Sequence, residues 1–176
     1  MLGGFNDYYV KYGQTIEPSI PVSELFRPGQ FPVGEIQPHG ETKHPDANLS
    51  SKRVTEEEKR AADRVLEAEL LDKLRHASEV HRQVRAYAQS FIQPGIDLVD
   101  MCERIEECNR RLVKENGLQA GIGFPTGCSI NHIAAHYTPN PGDRVTLQYG
   151  DVMKIDFGTQ IDGSLDFALC LFTPCL

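Results

Sequence analysis

The sequence predicts an α+β fold, with two amphipathic helices packed on one face of an antiparallel sheet and an extended, proline-rich N-terminal arm ahead of them. Three observations predict it. Residues 1–54 carry six of the eleven prolines. Proline fixes φ and withholds a backbone donor, so this stretch suits neither a helix nor a central strand. Two blocks of three- and four-residue apolar spacing follow, and after Gly117 the spacing changes to period two. Helices grouped ahead of strands are the order of an α+β fold.

In the arm, Ile16, Ile20, Val22, Leu25, Phe26, Phe31 and Val33 are too frequent for a solvated linker. Residues 1–54 are therefore expected to lie extended on a globular body formed by residues 55–176. Thr55 followed by Glu58 makes a capping box that opens a helix. Leu70, Leu74, Ala77, Val80, Val84, Tyr87 or Ala88, and Phe91 then share one face until Pro94-Gly95 stops it, which predicts a helix near 55–93. Asp97 is the N-cap of a second helix, near 97–116, whose buried side is Leu98, Cys102, Ile105, Cys108 and Leu112. Asn116-Gly117 supplies its left-handed end. The strands expected after it are AGIGFPTGCSIN, IAAHY and, beyond the turn PNPGD, the run from Arg144 to Phe172, folded back at Gly163-Ser164.

Charge and composition narrow the function. Eighteen Lys and Arg against 25 Asp and Glu give a net charge of −7, which argues against direct binding to nucleic acid or to an acidic membrane surface. No apolar run approaches the roughly 18 residues needed to span a bilayer. The five cysteines have neither disulfide-framework nor zinc-ligand spacing, which suits a reducing, cytoplasmic setting. His39, His44, His76, His81 and His132 carry no argument for ligation, and His76 and His81 are expected at the surface or edge of the long helix.

The chemistry lies in KIDFGTQIDGSLDF, residues 154–167. Met153 and Ile155 alternate with Lys154 and Asp156, so Asp156 points away from the apolar pair. Asp166 follows on the next strand, and hairpin pairing can bring two such carboxylates to one side. Close carboxylates repel unless a divalent ion sits between them, and such an ion lowers the pKa of water from about 15.7 to roughly 7, which hydrolysis requires. Aspartates near a hairpin are more often turn formers or solvated residues, and two cannot fill a coordination shell.

Three longer stretches add to this: residues 81–118 (HRQVRAYAQSFIQPGIDLVDMCERIEECNRRLVKENGL), residues 123–140 (GFPTGCSINHIAAHYTPN) and residues 152–159 (VMKIDFGT). On these motifs the chain resembles the type-2 methionine aminopeptidases, a branch of the pita-bread metallopeptidases. The resemblance implies the N-terminal half of a pita-bread fold. It implies removal of the initiator methionine from nascent polypeptides with two divalent metal ions, of cobalt, manganese, zinc or iron. Asp156 would be the first metal ligand and Asp166 the second, His136 would contact the substrate carbonyl, and Phe124 would line the pocket for the methionine side chain. No catalytic residue beyond the metal ligands is implied.

Two departures from the family stand beside the match. The family's second aspartate follows the first by eleven residues, whereas Asp166 follows Asp156 by ten. A one-residue slip in a fixed register turns Asp166 to the wrong face. Alternatively, the resemblance ends at Gly163 and residues 164–176 are an unrelated tail. The family's remaining ligands, a histidine and two glutamates, are also not in this chain. It is therefore expected to hold divalent ions weakly or not at all and to be inactive alone. The rival expectation is a non-catalytic pita-bread module that associates with proteins or ribosomes.

Overall fold

A computed structural model describes residues 11–35, 57, 60, 61, 64 and 70–172, with residues 164–172 as backbone. The helices α1 (Val22–Leu25), α2 (Leu71–Phe91) and α3 (Leu98–Val113) precede the strands β1 (Ala120–Ile122), β2 (Gly127–Ile130), β3 (Met153–Ile161) and β4 (Ser164–Phe172). All pairings are antiparallel: β1 and β2 lie along one edge of β3, and β4 lies along the other. The fold is α+β, a partial pita-bread domain.

The arm contributes to the core. Val22, Phe26 and Phe31 are buried in one cluster with Val80, Val84, Leu98 and Leu112. Against the expectation of a wholly extended arm, it makes the single turn α1. Pro21 sits at the N-cap, and its carbonyl accepts the Glu24 N–H at 2.9 Å. Proline is tolerated there because a helix start leaves that N–H unpartnered anyway. A chain of amides fastens the arm to α2: Gln14 Nε2 donates to Gln83 Oε1 at 2.8 Å, and Gln83 Nε2 donates to Glu79 Oε1 at 2.8 Å.

In α2 the expected stripe is buried at Ala77, Val80, Val84, Tyr87 and Ala88, but Glu79, His81 and Gln83 are buried with it. The capping box expected at Thr55 lies outside the described residues; Leu70 is already helical at φ −70° and ψ −42°. His81 is buried rather than at the surface or edge, while His76 is half-buried. The His81 ring stacks on Phe157 at 4.2 Å, and the His76 ring stacks on Phe31 at 4.6 Å. A histidine offers a flat apolar body, and both rings use it to fill space between elements.

Helix α3 starts as its sequence indicates, with Asp97 Oδ1 accepting the Val99 N–H at 2.9 Å. It ends at Val113, three residues before Asn116, and its C-cap Lys114 takes the left-handed conformation at φ 59°. The N–H groups of Lys114 and Glu115 close onto the Arg111 and Arg110 carbonyls at 3.2 and 2.9 Å, so the last turn is satisfied without Gly117. Asn116 instead bridges to Ala120, and Gly117, at φ 53°, turns the chain into β1.

IAAHY is not a strand. Tyr137 runs beside β2, with Cys128 N–H donating to the Tyr137 carbonyl at 2.7 Å. Residues 144–152 are loop apart from a Thr146 bridge to Asp97, and β3 begins at Met153. The β3–β4 turn is Asp162-Gly163 rather than Gly163-Ser164, with Ile161 opposite Ser164 as the closing pair. Positive φ at both turn residues, 48° and 77°, marks the type I′ hairpin that Asp-Gly favours.

The two faces of β3 differ. Met153, Ile155, Phe157 and Thr159 are buried beneath the helices, while Lys154, Asp156 and Gln160 on the alternate face are half-buried. Among the described residues, no helix is long and apolar enough to cross a membrane.

Candidate functional site

The site is built around β3. Asn109 of α3 anchors this strand twice: its Nδ2 donates to the Gly158 carbonyl at 3.0 Å, and its Oδ1 accepts the Thr159 hydroxyl at 2.9 Å. Gly123 N–H reaches the same Gly158 carbonyl at 2.8 Å, which fixes the loop that carries Phe124. Phe124 is half-buried.

On the β2 side, Asp156 is the direct cross-strand partner of Gly127. A Cβ on Gly127 would lie 3.6 Å from Asp156 Cβ and 3.7 Å from the Tyr137 carbonyl oxygen. Those are ordinary van der Waals distances, so Gly127 marks where Asp156 and the 136–138 segment flank one strand without being required by either. His136, at φ 65°, is exposed at the start of that segment. The segment is pinned by Thr138 Oγ1 donating to the Thr126 carbonyl at 3.0 Å.

Asp156 Oδ1 is buried and has no hydrogen-bond partner. Lys154, its neighbour on the same face, is directed away, with Nζ donating to the Asn131 carbonyl at 2.9 Å. A buried carboxylate oxygen without a donor is costly, and a hard divalent cation is the kind of group that would relieve it. The residues present fit such an ion at that one oxygen. Among the described residues, no three His, Cys, Asp or Glu side chains converge on a common point.

On the β4 side, the register sets Asp156 opposite Leu169 and Thr159 opposite Asp166. Cross-strand partners share a face, so position 166 belongs to the Thr159 face, under the helices, and position 156 to the open face. The two aspartates are on neighbouring strands, three pairs apart, and the register does not bring them together. Sequence reading had no signal for the contribution of Asn109, which acts through a strand far away in the chain.

The helix-on-sheet frame and its motifs can be set against known proteins. Residues 72–168 match Metallopeptidase family M24, and the chain belongs to that family. It is 56% identical over 152 residues to methionine aminopeptidase 2A of Arabidopsis thaliana, a match that takes in 86% of this chain and 33% of the relative. It is 48% identical over 160 residues to methionine aminopeptidase 2 of Dictyostelium discoideum, or 91% of this chain and 34% of the relative. The chain thus spans about a third of the length of the curated relatives it matches. Among solved structures, a thermophilic Arx1 superposes with a TM-score of 0.51 at 24% identity over 60% of this chain and 30% of that one, a likeness of fold.

Proposed function

We propose that this chain contributes the first part of a metal-dependent aminopeptidase site that removes the initiator methionine from nascent polypeptides in the cytoplasm. One observation carries the reading: the buried, unpartnered Oδ1 of Asp156 on the open face of β3, in a chain 48–56% identical to relatives named methionine aminopeptidase 2 or 2A. Asp156 is the residue that would hold a divalent ion. When bound, such ions supply Lewis-acid polarisation of the peptide carbonyl and activation of water. His136, exposed beside β2, hydrogen-bonds the carbonyl oxygen of the substrate and stabilises charge that develops there. Phe124 offers an apolar wall to the methionine side chain.

A second reading, a non-catalytic module that binds proteins or ribosomes, is favoured by the β4 register, which leaves Asp156 without Asp166 on its face. The 176-residue chain alone is accordingly expected to release no methionine from a Met-Ala-Ser peptide with manganese or cobalt. A chimera discriminates between the readings. Replacing the matching segment of the Arabidopsis thaliana relative with residues 72–163 of this chain should preserve methionine release, and Asp156→Ala in the chimera should lower it by at least about a hundredfold. A folded chimera without activity, or one indifferent to Asp156→Ala, would refute the aminopeptidase reading.

A further inference from the structure

Between α3 and β2, two buried thiols meet. Cys102 of α3 and Cys128 of β2 lie with their sulfurs 3.6 Å apart, in an S–H···S hydrogen bond donated by Cys102 across 26 residues of sequence. We infer that Cys102 and Cys128 are an oxidative modification site, at which a small peroxide closes a disulfide that ties α3 to β2.

Geometry carries the inference. A disulfide has its sulfurs about 2.05 Å apart, so the pair must close by roughly 1.5 Å, which a side-chain rotation on a helix facing a strand can supply. The donated S–H holds Cys128 as the acceptor sulfur and lowers its pKa, while the same bond and burial raise that of Cys102. In the proposed step Cys128 supplies the attacking sulfur. Its thiolate attacks one peroxide oxygen, the O–O bond breaks, and hydroxide leaves a sulfenic acid. The Cys102 sulfur then attacks the Cys128 sulfur, the S–O bond breaks, and a second hydroxide leaves. The two thiol protons convert both hydroxides to water. Two thiols and one peroxide give one disulfide and two waters.

Burial limits the oxidant. Cys128 is fully buried and Cys102 is 5% exposed, which shuts out a bulky disulfide such as glutathione disulfide and leaves a small peroxide as the oxidant. Cys108, on the same helix, is buried as a free thiol, and burial pushes it up to about 12.

Position gives the bond a consequence. Gly127, next to Cys128, faces Asp156, and the Cys128 N–H holds the Tyr137 carbonyl beside His136. A covalent tie at Cys128 would fix the strand on which both segments hang. This inference stands on the sulfur geometry alone and survives failure of the aminopeptidase reading.

The test treats the full chain with hydrogen peroxide, alkylates it under denaturing conditions and maps the peptides by mass spectrometry. The expected result is a peptide pair linked through Cys102 and Cys128, loss of two of the five alkylatable thiols, and a Tm raised by roughly 5–10 °C. Glutathione disulfide should produce none of these, and Cys102→Ala should leave Cys128 as a sulfenic or more oxidised species. Cys128 oxidised without a link in the folded wild type, or linked to Cys108, Cys170 or Cys175 instead, would overturn the inference. So would a pair that stays fully alkylatable after peroxide.

Discussion

The two faces of β3 obey different rules. Under the helices, Phe157 is buried against the His81 ring and Thr159 is buried with its hydroxyl on Asn109. On the open face, Asp156 buries a carboxylate oxygen and gives it no partner. One face is finished, and the other holds a polar atom at a cost that the fold itself does not repay. A buried orphan of this kind, one residue from a well-packed aromatic, calls for an explanation that the packing of the fold does not supply.

The largest expected effect separates the faces directly. Phe157→Ala empties a stacked, fully packed position and should cost about 3–5 kcal/mol in urea or thermal unfolding, enough to unfold a marginal domain. Asp156→Ala removes an unmatched acceptor, and loses only half-buried packing. It should stay within about 1 kcal/mol of the parent or stabilise it. Comparable losses in both variants would erase the distinction and imply that Asp156 has a structural partner.

The next effect concerns β4. As paired, the positions of Leu165, Phe167, Leu169 and Leu171 lie on the open face, and those of Asp166, Ala168 and Cys170 lie under the helices. This is the reverse of what the apolar pattern favours. Inserting one isoleucine between Ser164 and Leu165, with the Asp162-Gly163 turn kept, moves Leu165 opposite Thr159 and Asp166 opposite Gly158. Asp166 then shares the face of Asp156, two residues along, a separation of about 7 Å. Manganese binding followed by calorimetry should tighten at least tenfold, about 1.4 kcal/mol, and Tm should rise. Asp166→Asn should abolish that gain in the inserted chain and leave binding by the parent unchanged. A parent weakened by Asp166→Asn would show that the aspartates already cooperate.

What the sequence disclosed follows the reach of each interaction. Asp97 caps α3 through N–H groups two and three residues away, and Met153, Ile155 and Phe157 alternate with Asp156 within one strand, so both could be read from local spacing. Glu79, Gln83 and His81 could not. Each is polar on a helix that reads as half-solvated; Gln83 is met by Gln14 and His81 by Phe157, both distant in sequence, and Glu79 accepts from Gln83 beside that contact. The expected strand IAAHY failed for the same reason: alternation marks a segment that can pair, but β2 takes only isolated bonds from it. Of the site, Asp156 was legible by its alternation and motif. The face of position 166 depended on which two residues form the turn, and there the dipeptide Asp162-Gly163 did carry a local signal, since Asp-Gly favours a type I′ turn, that the expectation of a Gly163-Ser164 turn passed over.

His76 is the exception on the finished side, and the smallest prediction rests on it. Its ring stacks on Phe31 of the arm, yet its Nε2 is buried without a partner. Burial lowers its pKa from 6.5, with Asp72 one turn earlier opposing the shift. The unfolded chain therefore takes up a proton near pH 6.5 that the folded chain still refuses. Stability is complete above 6.5, falls as pH drops through that value, and stops falling once the folded imidazole protonates as well. His76→Phe keeps the stacked ring and removes the titration. Against this variant, the wild type should lose roughly 1–2 °C more in Tm between pH 7.5 and pH 5. The same loss in both proteins would assign the slope to other histidines. A steeper slope in the variant would mean that protonation of His76 favours the docked arm, through an attraction to Asp72 that outweighs the burial of Nε2.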